Sequence, residues 1–295
     1  MEEHPMFKGS IVAIVTPFNN GAVDEQKLRE LVDFQIDNGT DAIVACGTTG
    51  ESSTLDNEEH LDVIRIVFEQ AQGRVPVIAG TGSNSTAEAI ALTREAKEIG
   101  VAGVLLVTPY YNKPTQEGLY RHYTAIADAV DIPQILYNVP GRTGVNLLPE
   151  TVARLAPHKN IVAIKEATGS LQQASEVIAL CGNQIDVFSG DDFITFPMMA
   201  CGAVGVISVL ANIMPKTVGD LTDAFFAGDL ATARQLHLDT LEIGNAMFME
   251  SNPIPVKTAL GLMGKCSDEV RLPLCPMSDA NKAKLTAIMK EYQLI

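Results

Sequence analysis

The stretch Ser10-Ile11-Val12-Ala13-Ile14-Val15-Thr16-Pro17-Phe18-Asn19 decides the fold. It opens with an apolar run rich in β-branched residues, and the turn behind that run carries no G-x-G-x-x-G. A doubly wound open sheet built to hold a dinucleotide needs that fingerprint after its first strand. The run is instead the first of eight. Similar segments recur at 42–45, 75–79, 103–107, 134–137, 161–165, 186–188 and 204–208. Amphipathic stretches at 25–37, 58–71, 86–99, 116–129, 149–155, 171–180, 193–200 and 216–226 separate and follow them. Parallel strands need helical crossovers, so eight strand-and-helix units in succession close most economically into a (β/α)8 TIM barrel. Ser85-x-x-Glu88 has the pattern of a capping box at one helix start. Helix-like stretches at 231–247, 256–263 and 279–292 lie outside the repeat. The chain is therefore expected to hold a catalytic barrel, 1–227, and a small all-helical C-terminal domain, 228–295.

With 295 residues, 46% of them hydrophobic, the chain can bury a large core. No apolar run reaches the length of a membrane span, and the acidic start Met1-Glu2-Glu3-His4 lacks the basic and apolar regions of a secretory signal, so a cytoplasmic location is expected. A net charge of −15 argues against nucleic acid or an anionic membrane as partner. Cys46, Cys181, Cys201, Cys266 and Cys275 are odd in number and show no C-x-x-C spacing, which points to neither a disulfide framework nor a zinc site. His4, His60, His122, His158 and His237 are scattered without H-E-x-x-H, so no metal is expected.

In a barrel, chemistry gathers at the C-terminal strand ends. The most informative of these is Ile161-Val162-Ala163-Ile164-Lys165, an apolar run that ends in an amine. Desolvation disfavours an ammonium ion and favours the free amine, which is the nucleophilic form that Schiff-base chemistry requires. The competing reading is a lysine that snorkels to the strand end or pairs with Glu166. Tyr137 ends the preceding strand, so both side chains can meet in the barrel mouth, where a phenol relays protons. Gly47-Thr48-Thr49-Gly50 offers backbone amides and two hydroxyls suited to a carboxylate. A phosphate cradle would need the lysine of a Walker loop, whereas Glu51 follows, and a plain tight turn also accounts for the glycines. Arg142, on the loop after Tyr137, is a candidate carboxylate clamp. Asp191-Asp192 suggests a metal only weakly, because no His or Glu cluster accompanies it.

Gly47-Thr48-Thr49-Gly50-Glu51, Thr108-Pro109-Tyr110-Tyr111-Asn112, Tyr137-Asn138-Val139-Pro140, Pro140-Gly141-Arg142-Thr143-Gly144 and Lys165-Glu166-Ala167-Thr168-Gly169 together carry a resemblance that spans essentially the whole chain. It resembles the 4-hydroxy-tetrahydrodipicolinate synthase (dihydrodipicolinate synthase) family, within the class I pyruvate-dependent aldolase superfamily that includes N-acetylneuraminate lyase. Arg142 is similar to the synthase branch.

The resemblance implies that Lys165 condenses with pyruvate and that the enamine attacks L-aspartate 4-semialdehyde. It implies that Tyr137, Thr48 and Tyr111 relay protons, with Tyr111 reaching in from a neighbouring subunit. Thr49 would help hold the pyruvate carboxylate, Arg142 would bind that of the aldehyde, and Gly190 and Ile207 would line the pocket. The iminium is itself the electron sink, so no metal or organic cofactor is implied. A homotetramer, built as a dimer of dimers, is implied as well. So is feedback inhibition by lysine through Ser52, Ser53, His60, Asn84, Glu88 and Tyr110, although Asn57 stands where lysine-sensitive bacterial members often carry histidine.

Two other readings differ in their requirements. Another class I aldolase or dehydratase, acting on neuraminate or a 2-keto-3-deoxy sugar acid, would share Lys165 and Tyr137 without needing Arg142. A non-catalytic carboxylate-binding barrel would need neither the buried amine nor the phenol.

Overall fold

The computed structural model describes residues 6–295, so the acidic start Met1–His4 lies outside the described residues. Eight parallel strands close into a barrel: β1 (Gly9–Ala13), β2 (Ala42–Ala45), β3 (Val77–Gly80), β4 (Gly103–Val107), β5 (Gln134–Asn138), β6 (Ile161–Glu166), β7 (Asp186–Ser189) and β8 (Gly205–Ser208). Each pairs with its sequence neighbours, and β1 closes the ring by pairing with both β2 and β8. The expected third strand begins two residues later than its apolar run, beyond Pro76, which has no N–H to give to a ladder.

Side chains alternate between the barrel interior and the helical layer. Ile11, Ala13, Val44, Ile78, Leu105, Ile135, Ala163, Phe188 and Ile207 fill the interior, and Tyr137 sits at its top. Val12, Ile43, Val104, Leu136, Ile164 and Val206 point outward into one continuous core with the helices. One irregularity shifts the phase. Gln134 pairs with Ile161 but Ile135 pairs with Ala163, so Val162 is an extra residue in β6. A bulge of this kind changes which face the following residues present. Val162 and Ala163 both belong to the interior cluster, after which Ile164 points out and Lys165 points in.

Three local features depart from the sequence expectations. Phe18–Asn19 and Ala22–Val23 form a small antiparallel ribbon, turned at Asn20 and Gly21, both with positive φ. Asn-Gly is the favoured pair for such a turn. The expected helix at 231–247 is two helices, Leu230–Asp239 and Leu241–Ala246. At the break, the Thr240 hydroxyl donates to the carbonyls of Leu236 and His237 in competition with the backbone. Ser85 does accept from the Glu88 amide, but the Glu88 carboxylate accepts from Ser83, so this is a cap and not a box. The complete capping box is at Asp56 and Glu59, which opens helix Asn57–Ala71.

Helices Ile254–Leu262 and Asp279–Glu291 complete the C-terminal part and share the outer core through Val256, Leu260, Leu285 and Met289. The segment leading into Ile254–Leu262 returns to the barrel mouth. No helix among the described residues is long and apolar enough to cross a membrane.

Candidate active site

Lys165 is 5% exposed and is the register partner of Tyr137 on the adjacent strand. Its Nζ lies 4.4 Å from the centre of the Tyr137 ring. The pairing with Glu166 does not occur, because successive strand residues face opposite ways. Glu166 points into the helical layer, where its carboxylate accepts from the Thr168 amide at 2.9 Å, Asn138 Nδ2 at 3.1 Å and Gln173 Nε2 at 3.3 Å. Burial pushes the Glu166 carboxyl above its ordinary value, against the pull of those donors. Asn138 also accepts from the Leu147 amide, so the ends of β5 and β6 are fastened together on the outside while Tyr137 and Lys165 meet on the inside.

The turn after β2 brings Thr48 and Thr49 to the same mouth. Two of its amides are spent internally, Gly50 on the Gly47 carbonyl at 3.1 Å and Glu51 on that of Thr48 at 3.1 Å. Among the described residues, the amides of Thr48 and Thr49 have no protein acceptor, so the nest is smaller than the sequence suggests. Glu51 is no part of it. This residue adopts a left-handed conformation (φ 54°) and its carboxylate is buried against Lys257 Nζ at 2.7 Å, while also accepting from the Arg271 amide at 3.1 Å.

Arg142 lies on a short helical turn, Pro140–Thr143, and not on an open loop. Its Nη2 donates to the carbonyl of Asn252 at 3.1 Å. Lys165, Tyr137, Thr48, Thr49, Arg142 and Gly190 line one chamber of about 180 Å³, together with Asp191 and Asn252, which the sequence did not single out for this site. Gly190 is required by space, since a Cβ there would fall 2.5 Å from that of Ala167. Burial pushes the Asp191 carboxyl up to about 6, against the attraction of Lys165. Asp192 turns away from it, accepting from Ser208 Oγ at 2.5 Å and from the Val209 and Leu210 amides at 3.0 Å, so the acidic pair is not arranged to share a cation. Asn252 was invisible to motif reading because it reaches the mouth from the far end of the chain.

A second, larger cavity of about 420 Å³ adjoins the first. Tyr137, Thr48 and Arg142 line both. Its outer wall contains Ser52, Ser53, His60, Glu88 and Tyr110, five of the six expected effector residues, as well as Asn57. Asn84 stands outside the lining and donates to the Tyr110 carbonyl at 3.2 Å. His60 is buried, which lowers its basicity, and Nε2 donates to the Gly80 carbonyl at 2.8 Å. Its Nδ1 is therefore left as an acceptor. Two further expected residues, like Asn84, lie in neither chamber: Ile207 is fully buried in the barrel interior, and Tyr111 is 90% exposed with a φ of 70°.

A closed (β/α)8 barrel with an amine and a phenol paired in its mouth is the framework of a lyase. The chain belongs to the dihydrodipicolinate synthetase family, whose model matches residues 6–292. It is 90% identical over 290 residues to a 4-hydroxy-tetrahydrodipicolinate synthase of Trichlorobacter lovleyi, covering 98% of this chain and all of that protein. Among solved structures, it is similar to the dihydrodipicolinate synthase of Acinetobacter baumannii complexed with pyruvate, with a TM-score of 0.96 and 50% identity over 98% of this chain and 100% of that one. It is also similar to the enzyme of Cyanidioschyzon merolae with lysine bound, with a TM-score of 0.96 and 39% identity over 99% and 100% of the two chains.

Proposed function

We infer that this chain is a 4-hydroxy-tetrahydrodipicolinate synthase of lysine and diaminopimelate biosynthesis, joining pyruvate to L-aspartate 4-semialdehyde through an imine on Lys165. The observation that carries the mechanism is the Tyr137–Lys165 register pair in the mouth of the barrel. Lys165 Nζ adds to the ketone carbon of pyruvate, and the carbinolamine loses water to give an iminium. Loss of a methyl proton converts it to an enamine, whose carbon forms the new bond to the aldehyde. Tyr137 carries protons between the amine and the departing hydroxyl. Thr48 stands in the wall between the two cavities and continues that path outward. Thr49 holds the pyruvate carboxylate beside Gly190, with Ile207 as packing beneath. Arg142 binds the aldehyde's carboxylate, which separates this reading from a sugar-acid aldolase.

The exposed Tyr111 completes the relay in a neighbouring subunit of a homotetramer, since an aromatic side chain held so far into solvent gains by covering. Lysine, the effector, occupies the larger cavity. There the Glu88 carboxylate and His60 Nδ1 receive its ammonium groups, with Ser52, Ser53 and Tyr110 around them and Asn84 bonded to the Tyr110 carbonyl outside the lining. Because Tyr137 and Thr48 face both cavities, an occupant of one acts on the other. An initial-rate assay that shows no response to added lysine removes this regulatory reading and leaves the catalytic one untouched. The proposed division at 227/228 is one of topology, as the C-terminal part helps to wall the chamber.

Borohydride reduction in the presence of pyruvate tests the mechanism. Only an imine is fixed by reduction, so the adduct is expected on the peptide that contains Lys165. Its absence, or its appearance on another lysine, overturns the assignment. Lys165→Ala is expected to abolish trapping and cut turnover by roughly three orders of magnitude or more while melting like the native protein.

A further inference from the structure

We propose that Asn252 is a positioning residue that ties the two carboxylate holds of the chamber together, fixing Thr49 for the ketoacid through its side chain and Arg142 for the aldehyde through its backbone. This rests on the roles given above to Thr49 and Arg142. Asn252 is 5% exposed and lines the Lys165 chamber. Its Nδ2 donates to Thr49 Oγ1 at 3.0 Å, across 203 residues of chain. Its carbonyl accepts from Arg142 Nη2 at 3.1 Å.

The direction of the first bond matters. A hydroxyl has one proton and can also accept. By donating to Thr49, Asn252 occupies an acceptor site on the hydroxyl and leaves the Thr49 proton for a carboxylate oxygen in the chamber. Were Asn252 an acceptor there, the proton would turn away from the ligand.

The segment is held firmly enough to serve this purpose. Ile254 N donates to the Ser251 carbonyl at 2.9 Å and Lys257 N to that of Pro253 at 2.9 Å. One turn further on, Lys257 Nζ pairs with Glu51 at the base of the Thr48-Thr49 turn and donates to the Thr16 carbonyl at 2.9 Å. The same stretch therefore grips the turn at its hydroxyl and at its root.

The test uses the concentration of pyruvate that half-saturates borohydride trapping, together with the KM for the aldehyde. Asn252→Ala removes the amide and keeps the carbonyl, so half-saturation should rise about fivefold to tenfold, the worth of one hydrogen bond, with the aldehyde KM within about twofold. Asn252→Asp can only accept from Thr49 and puts negative charge beside the ketoacid, so it should be worse than alanine although closer in shape. In a Thr49→Val background, Asn252→Ala should cost nothing further at half-saturation. Additive losses in that cycle, or an aspartate variant equal to the native protein, overturn the proposal. If alanine impairs folding, Asn252→Ser is read instead on the trappable fraction, and an unchanged half-saturation there also overturns it. A native protein that fails to trap pyruvate at all refutes the Lys165 mechanism, whereas trapping that is indifferent to Asn252 refutes this inference alone.

Discussion

Lys257 and Glu51 form an ion pair at 2.7 Å whose two side chains are 0% and 1% exposed. The ammonium also lies 4.1 Å from the centre of the Phe18 ring. Burial lowers the basicity of Lys257 while Glu51 opposes that effect. Two charges sealed from water depend on each other, and removing one strands the other. Glu51→Gln or Lys257→Met is therefore expected to lower unfolding free energy by about 3 to 5 kcal/mol, read from urea denaturation. A loss below about 1 kcal/mol, the scale of a surface pair, contradicts this account.

The role proposed for Arg142 is to hold the aldehyde and not pyruvate. Arg142→Ala should raise the KM for L-aspartate 4-semialdehyde by about one to two orders of magnitude, as expected when a charge-assisted hold is lost. Half-saturation of pyruvate trapping should stay nearly unchanged. A comparable rise in both quantities would mean that the guanidinium instead supports the whole mouth.

Asp191 supplies a pH dependence. Its carboxyl titrates near 6 in the folded chain, up from 3.8, chiefly because it is buried. The native state thus holds a proton that the unfolded state has released, and stability falls as pH rises between those values. Above them the full cost of an ionised buried carboxylate is present. Asp191→Asn should accordingly raise the melting temperature at about pH 8 and leave it unchanged at about pH 3. Equal shifts at both pH values would assign the effect to packing.

Tyr111 should act in trans. Lys165→Ala and Tyr111→Phe chains are each expected to be weakly active, and co-refolding them should restore activity. Mixed dimers contain one site with its own Lys165 and a native Tyr111 from the other subunit, so recovery should approach about a quarter of the native value by statistics. No recovery in verified mixed oligomers would place Tyr111 outside the partner's site.

The barrel and its central pair were legible because they depend on short-range patterns. Apolar runs of four to six residues mark strands, and the polar residue that ends such a run marks the mouth. Lys165 and Tyr137 both satisfy that rule. The hairpin at Phe18–Val23 is legible as well, since Asn20-Gly21 is the pair that such turns favour. Other features lay beyond the sequence. Nothing in Ser251-Asn252-Pro253 says that it will reach Thr49, because the contact spans most of the chain. Asp191-Asp192 has no His or Glu companion to suggest a metal, but only the bonds of Asp192 to Ser208 and two amides reveal that the two carboxylates diverge. The interior place of Ile207 follows from strand phase, and the exposure of Tyr111 from a left-handed backbone.

Val162 has a consequence for how this family can tolerate change. Strand phase is binary, and the bulge lets β6 carry one extra residue while Lys165 stays opposite Tyr137. Deleting Val162 would remove the bulge and leave Ile161, Ala163, Ile164 and Lys165 opposite Gln134, Ile135, Leu136 and Tyr137, so the amine would still face the mouth, whereas a flat strand that kept Val162 would send it among the helices. One residue can thus be lost from this strand before the amine changes face, and a second cannot. The reagent's address is written in a count of residues, independent of their chemistry.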